Sequence, residues 1–188
     1  MSTNTGIGFR PGSEFISSST CQLLQARQLE IAHRIAPWDL KFALDKMVWD
    51  GKLSEDECAM AEREFKRFIL MIGMDIKPIA MISPTLDEVW HQMVLFTRRY
   101  VRFCRETVGF FIHHTPETPE NPIPVEAAIR LMVNYERLFG PMPSVWFSGM
   151  TAELQRYYEA RPFRVKPPVR WSGWTGRDRR VRVGVTEF

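Results

Sequence analysis

Three of the chain's four histidines, His91, His113 and His114, fall between Pro84 and Pro116, a stretch that also carries Asp87, Trp90, Arg98, Tyr100 and Cys104. Imidazoles and a carboxylate are ligands of divalent ions such as Zn2+, and three protein ligands leave coordination positions open for water or substrate. Asp87 and His91 are four residues apart. On a helix they face the same side, where the carboxylate either orients the imidazole or shares an ion with it. The same spacing also serves a plain surface salt link, which is worth little. Asp87, His91 and one of His113 or His114, with His114 placed in the metal set, form the candidate divalent-metal site. Trp90, Arg98 and Tyr100 are its candidate neighbours.

These residues need a helix to position them, and the pattern reads as one continuous helix over residues 84–108. Ser83 supplies an N-cap, Pro84 a first-turn proline, and Asp87 and Glu88 negative charge near the positive end of the helix dipole. Gly109 is the expected left-handed stop. At about 100° per residue, Leu86, Val89, Trp90, Met93, Thr97, Tyr100, Val101, Cys104 and Val108 form one wide apolar stripe. His91 lies off that stripe, on the flank with Asp87 and Arg98.

Along a continuous helix His91 and Cys104 stand roughly 20 Å apart and point about 140° away from each other. This argues against a zinc site made of His91, Cys104, His113 and His114, and Cys104 reads as a small buried hydrophobe. An extended return after Gly109 brings His113 or His114 back alongside Tyr100 and Arg98, and reaching His91 requires the loop over residues 115–119 to carry the chain further. Because adjacent residues in extended chain point to opposite sides, one of His113 and His114 faces the site and the other does not. There is no HExxH spacing and no Gly-rich phosphate loop.

The order Asp87, Trp90-His91, Tyr100, Cys104, Gly109, His113-His114 and Pro116 resembles the domain of unknown function in glycine-rich-domain-containing-protein-like sequences, over residues 75–116. Members often carry a further histidine two residues after the tryptophan-histidine pair, where this chain has Met93. Aromatics often follow the double histidine, where this chain has Thr115 and Glu117. The resemblance implies a helical domain without an assigned enzymatic activity.

The rest of the chain reads as scaffold. A length of 188 residues with 45% hydrophobic and 25% charged side chains suits one cored domain. Apolar residues at helical spacing predict helices over residues 21–36, 38–49, 55–71, 125–139 and 151–160. Ser54 and Glu57 have capping-box spacing, Pro78 favours an extended linker over 75–83, and the prolines of 115–124 predict an exposed loop. The third of these helices is expected to bury Cys58, Ala61, Phe65, Phe68, Ile69 and Ile72. The expected fold is mostly α, a single bundle-like domain of five or six helices over residues 21–160. A flexible leader is expected over 1–20 and an irregular basic tail over 161–188.

Charge is divided unevenly. Residues 161–188 hold eight Arg or Lys against Asp178 and Glu187, which leaves 17 basic and 20 acidic residues before them. The basic character thus belongs to the tail, where Arg170, Trp171, Trp174, Arg177, Arg179, Arg180 and Arg182 are the candidate partner-binding residues. Alternation over residues 180–185 is a strand pattern suited to pairing with a sheet edge. Three separated cysteines without a CxxC pair argue against a disulfide framework and fit a reducing compartment. No apolar run reaches signal-peptide or membrane-span length, so a cytoplasmic protein without a membrane partner is expected.

Three functions follow as expectations. The favoured one is a cytoplasmic, non-enzymatic interaction or scaffold module whose basic tail meets an anionic or protein partner. The second is a metal-dependent, hydrolase-like enzyme using Asp87, His91 and His113 or His114. The third is a nucleic-acid-binding protein that stacks bases on Trp171 and Trp174 and contacts phosphates through the tail arginines.

Overall fold

The computed structural model describes residues 15–160, which fold into eight α-helices and one 3₁₀ turn. The helices are α1 (Ser18–Leu23), α2 (Ala26–Ile35), α3 (Lys41–Trp49), α4 (Glu55–Gly73), α5 (Pro84–Leu95), α6 (Thr97–Thr107), α7 (Val125–Phe139) and α8 (Ala152–Ala160). The 3₁₀ turn is Ser144–Trp146. An all-α fold is thus correct, while the count of five or six helices is too low because two of the expected helices are each divided.

The first division falls at Leu24 and Gln25, both in extended conformation, and the Gln25 backbone N–H restarts the chain by donating to Gln28 Oε1 at 2.9 Å. The second falls at Phe96, where ψ rises to 59° and separates α5 from α6. Neither Pro nor Gly marks this break. Phe96 packs edge-on against Phe42 of α3, with ring centroids 5.0 Å apart. The carbonyl of Phe96 then accepts from Arg99 and Tyr100 at 2.8 and 3.0 Å and starts α6 on a new axis.

The break re-aims α6 relative to the expected stripe. Tyr100 and Cys104 are buried as expected, whereas Thr97 and Val101 are exposed, and Phe103 and Thr107 enter the core in their place. Phe103 meets Trp38 edge-on at 5.4 Å, and this contact seats α6 beside the segment ahead of α3.

The other helices start and stop where their residues direct. Ser54 and Glu57 form the capping box of α4, with the Ser54 N–H donating to Glu57 at 3.0 Å. Gly51, Gly109 and Gly140 all take positive φ at chain reversals, where a side chain would be strained. Residues 75–83 are non-helical, and residues 115–124 form an exposed loop with one isolated bridge between Thr118 and Asn121.

In the core, α4 packs on α2 and α5, α5 on α3 and α6, and α7 on α1 and α8. Ala61, Phe65, Phe68 and Ile69 of α4 are buried, while Cys58 and Ile72, expected with them, are half-buried near its two ends. A run of aromatic contacts crosses the centre, from Trp90 to Phe68 at 5.5 Å, Phe68 to Trp146 at 6.3 Å and Trp146 to Tyr135 at 5.6 Å. Phe15 and Ile16, inside the segment read as leader, are buried, and the Thr20 hydroxyl ties α1 to α7 by donating to the Leu138 carbonyl at 2.6 Å.

The start of α5 is fastened from two sides. Ser83 Oγ accepts from the Leu86 N–H at 3.3 Å and donates to the Val145 carbonyl at 2.6 Å. Gly149 lies so close that a methyl group there would meet Pro84 Cδ at 2.4 Å, so only glycine lets this segment seat against α5. No helix among the described residues is long and apolar enough to cross a membrane. The basic tail candidates Arg170, Trp171, Trp174, Arg177, Arg179, Arg180 and Arg182, with the expected strand over 180–185, lie outside the described residues.

Candidate metal centre

Asp87 stands in the first turn of α5, where a negative charge is favoured by the exposed N–H groups of the helix. One turn on, His91 shares its face, with Nε2 3.6 Å from Asp87 Oδ2. His114 arrives from the other direction, after the reversal at Gly109, and its Nε2 lies 2.8 Å from Asp87 Oδ1. The two imidazole rings approach to 4.5 Å between centroids. One donor atom from each of Asp87, His91 and His114 falls within 4.8 Å of the other two.

The return of His114 is set by buried polar contacts. Trp90 Nε1–H donates to the Tyr100 hydroxyl at 2.8 Å across the break between α5 and α6, and that hydroxyl donates onward to the Ile112 carbonyl. Ile112 is itself buried, so the backbone two residues before His114 is anchored on both its apolar and its polar side. The His114 ring then meets the Trp90 indole edge-on at 4.5 Å. Burial pushes the Tyr100 hydroxyl well above the ordinary tyrosine range, so it remains a neutral donor.

Exposure differs across the cluster. The side chains of His114, Asp87 and His91 are 10%, 32% and 41% exposed, so the site is walled on the His114 side and open on the His91 side. His113 is exposed and rests against Phe111 at 4.8 Å, and His114 alone of the pair reaches the cluster. Arg98 is also exposed. Its expected place on the His91 flank required a continuous helix, and the turn at Phe96 removes that relation. Trp90 and Tyr100 support the cluster from the core and contribute no ligand atom to it. Cys104 is buried on α6, where desolvation holds its thiol above the ordinary range, and it is absent from the cluster.

Sequence reasoning missed a second layer. Glu88 Oε2 lies 3.8 Å from His91 Nδ1, while Glu88 Oε1 accepts from Lys52 Nζ and from Gln92 Nε2, each at 2.7 Å. Burial works to raise the Glu88 carboxyl, but the hydrogen bonds from Lys52 and Gln92 outweigh it and hold the group below the ordinary carboxylate value. The spacing of Glu88, His91 and Gln92 was readable as one helix face. Lys52, thirty-six residues away in sequence, carries no local sign of the pairing.

In a tetrahedral Zn2+ site, ligand atoms about 2.0–2.2 Å from the ion lie roughly 3.3 Å from one another. The two imidazole nitrogens approach different oxygens of Asp87, His114 Nε2 to Oδ1 at 2.8 Å and His91 Nε2 to Oδ2 at 3.6 Å, and one donor atom from each residue lies within 4.8 Å of the others. The Asp87–His114 hydrogen bond also ties α5 to the chain after Gly109.

The pattern of the UCP032817-like family matches residues 34–134, and the chain belongs to this family, a domain of unknown function. The match spans α3 to α6 with the whole Asp87, His91 and His114 cluster, and it reaches well beyond the 75–116 stretch of the sequence resemblance. A domain of unknown function is thus correct, whereas the matching family does not carry the glycine-rich name. No curated protein matches the chain, and no solved structure does.

Proposed function

We propose that this member of the UCP032817-like family is a metal-binding domain that holds one divalent transition-metal ion, Zn2+ first, on Asp87, His91 and His114. The observation that carries the reading is the convergence of three donor atoms, from two separate elements, within 4.8 Å. Two imidazoles and one carboxylate suit Zn2+ and related ions. Three ligands from the protein leave the open position that catalytic zinc sites use for water, whose pKa the ion lowers to about 7. Hydrolysis is the chemistry such a water performs. The open His91 side gives a substrate access, and the Trp90 indole backs the His114 side.

The test is a Zn2+ titration of the full chain against a competing chelator, with metal analysis after dialysis. One ion per chain is expected in the wild type and none in Asp87→Asn or His114→Ala. Binding through Nε2 places the single proton of the neutral His114 imidazole on Nδ1, so that the Nε2 lone pair faces the ion. A wild type that takes up no Zn2+ overturns the reading and leaves the cluster as a tether.

A second reading comes from the charge of residues 161–188, eight basic side chains against two acidic ones with Trp171 and Trp174 among them. We propose that this segment contacts single-stranded nucleic acid by phosphate pairing and base stacking. Affinity for an oligonucleotide should fall linearly with log salt concentration, and Trp171→Ala should weaken it by about 1–3 kcal/mol. Equal binding after deletion of the segment would overturn it.

A further inference from the structure

We propose that Glu88 is the positioning residue of this metal centre: it holds His91 in the tautomer that turns Nε2 to the ion, and thereby sets the affinity of the site. The proposal rests on the metal-binding reading above. His91 addresses two different carboxylates with its two ring nitrogens, Asp87 with Nε2 at 3.6 Å and Glu88 with Nδ1 at 3.8 Å. A neutral imidazole carries one proton. On Nδ1 that proton faces the Glu88 carboxylate, and the lone pair of Nε2 is left for the cluster. Metal-ligating histidines ordinarily donate their other N–H to a carboxylate, carbonyl or water, and closing 3.8 Å to hydrogen-bond distance takes about 1 Å of side-chain movement.

Glu88 is held for this task more firmly than a surface acid is. Lys52, from the turn between α3 and α4, and Gln92, one turn along α5, both bind Oε1, which leaves Oε2 to His91. Gln92 is buried, and its own Oε1 has no hydrogen-bond partner among the described residues. A buried carbonyl without a partner is destabilising, and an apolar side chain of the same length would remove the loss. What the amide contributes at this position is its grip on Glu88. Buried polar groups kept at a loss of stability are characteristic of sites that must hold a geometry.

The experiment compares full-length wild type, Glu88→Gln and Lys52→Met by Zn2+ titration against a chelator. Long-range ¹H–¹⁵N spectra of the metal-free proteins report the His91 tautomer, a readout that general stability does not move. The wild type is expected to bind one Zn2+ and to show His91 protonated on Nδ1. Glu88→Gln should bind about 10–100-fold more weakly, with a mixed tautomer. Lys52→Met should shift both readouts the same way by a smaller amount, because Gln92 still holds Oε1. Equal affinity and an unchanged tautomer in Glu88→Gln, with Zn2+ bound by the wild type, overturn the role of Glu88 and leave the metal reading standing. Weaker binding with an unchanged tautomer overturns the orienting step. A wild type that binds no Zn2+ overturns the metal reading itself, and this proposal with it.

Discussion

Trp90 and Tyr100 lie on two helices separated by the break at Phe96, and the indole N–H of the first donates to the hydroxyl of the second at 2.8 Å. That hydroxyl passes a hydrogen bond on to the Ile112 carbonyl and so fixes the chain that delivers His114. Tyr100→Phe keeps the ring but strands a buried donor on Trp90 and a buried acceptor on Ile112. The expected loss is about 1–3 kcal/mol for each group left unsatisfied. Zn2+ affinity should fall as well, because residues 112–114 lose an anchor. Denaturant unfolding with and without Zn2+ measures both, and unchanged affinity would show that His114 is held by Trp90 and Asp87 alone.

The two ligand histidines should separate stability from binding. His91 is the more exposed, its approaches to Asp87 and Glu88 are long and among the described residues its ring meets only the His114 imidazole, so His91→Ala should change stability within about 0.5 kcal/mol while abolishing Zn2+ uptake. His114 bonds to Asp87 and packs on Trp90, and His114→Ala should abolish uptake and also lower stability by about 0.5–3 kcal/mol. Melting curves of the metal-free proteins decide the matter. A large fall in His91→Ala would mark that residue as part of the scaffold.

Cys104→Ser tests whether the buried thiol has any part in the centre. It lies in the core on α6 and outside the cluster, so the variant should retain Zn2+. Placing a hydroxyl there should lower stability by about 1–3 kcal/mol. Loss of the ion from a folded variant would contradict the placement of Cys104.

The alkaline limit of the fold should follow two tyrosines. Burial raises the pKa of Tyr100, and burial together with the neighbouring Glu64 raises that of Tyr135, both from an ordinary value of 10.0. The unfolded chain therefore loses these protons first. Stability from the two phenols is present below pH 10 and declines as pH rises above it. Absorbance of phenolate should show Tyr100 and Tyr135 ionising only together with loss of far-ultraviolet helix signal. Ionisation of all tyrosines near pH 10 in a folded chain would contradict their burial.

Much of this arrangement was legible in the sequence because its determinants are local. Ser83 and Pro84, the Ser54 and Glu57 box, and the glycines at 109 and 140 fix helix ends through contacts within a few residues. The pairing of Asp87 with His91 was readable from helix spacing, and the opposed directions of His113 and His114 from extended backbone. The break at Phe96 was not readable. The contacts that accompany it, Phe96 on Phe42 and Tyr100 with Trp90, are tertiary and have no local signature. The same limit hid Lys52 beside Glu88, and it hid the Glu64 cluster, whose members come from three elements.

That cluster carries the last prediction. Glu64 of α4 is 0% exposed, with Oε1 accepting from Arg63 Nε at 3.0 Å and Arg67 Nη1 at 2.9 Å. Its Oε2 accepts from Trp146 Nε1 at 3.1 Å and from the Tyr135 hydroxyl, so one carboxylate joins α4, α7 and the 3₁₀ turn. Arg67 extends the network by donating from Nε to the Phe15 carbonyl at 2.7 Å. Glu64→Gln keeps the shape but replaces one acceptor with a donor and leaves the largely buried Arg67 without its counter-charge. Breaking a buried pair in this way costs about 3–5 kcal/mol. Denaturant unfolding should show that loss in full, while Zn2+ affinity of the folded variant stays at the wild-type value, since no member of the cluster touches Asp87, His91 or His114. A variant as stable as the wild type would mean that the carboxylate charge contributes nothing to the joint, and hydrogen bonding alone would then hold the three elements together.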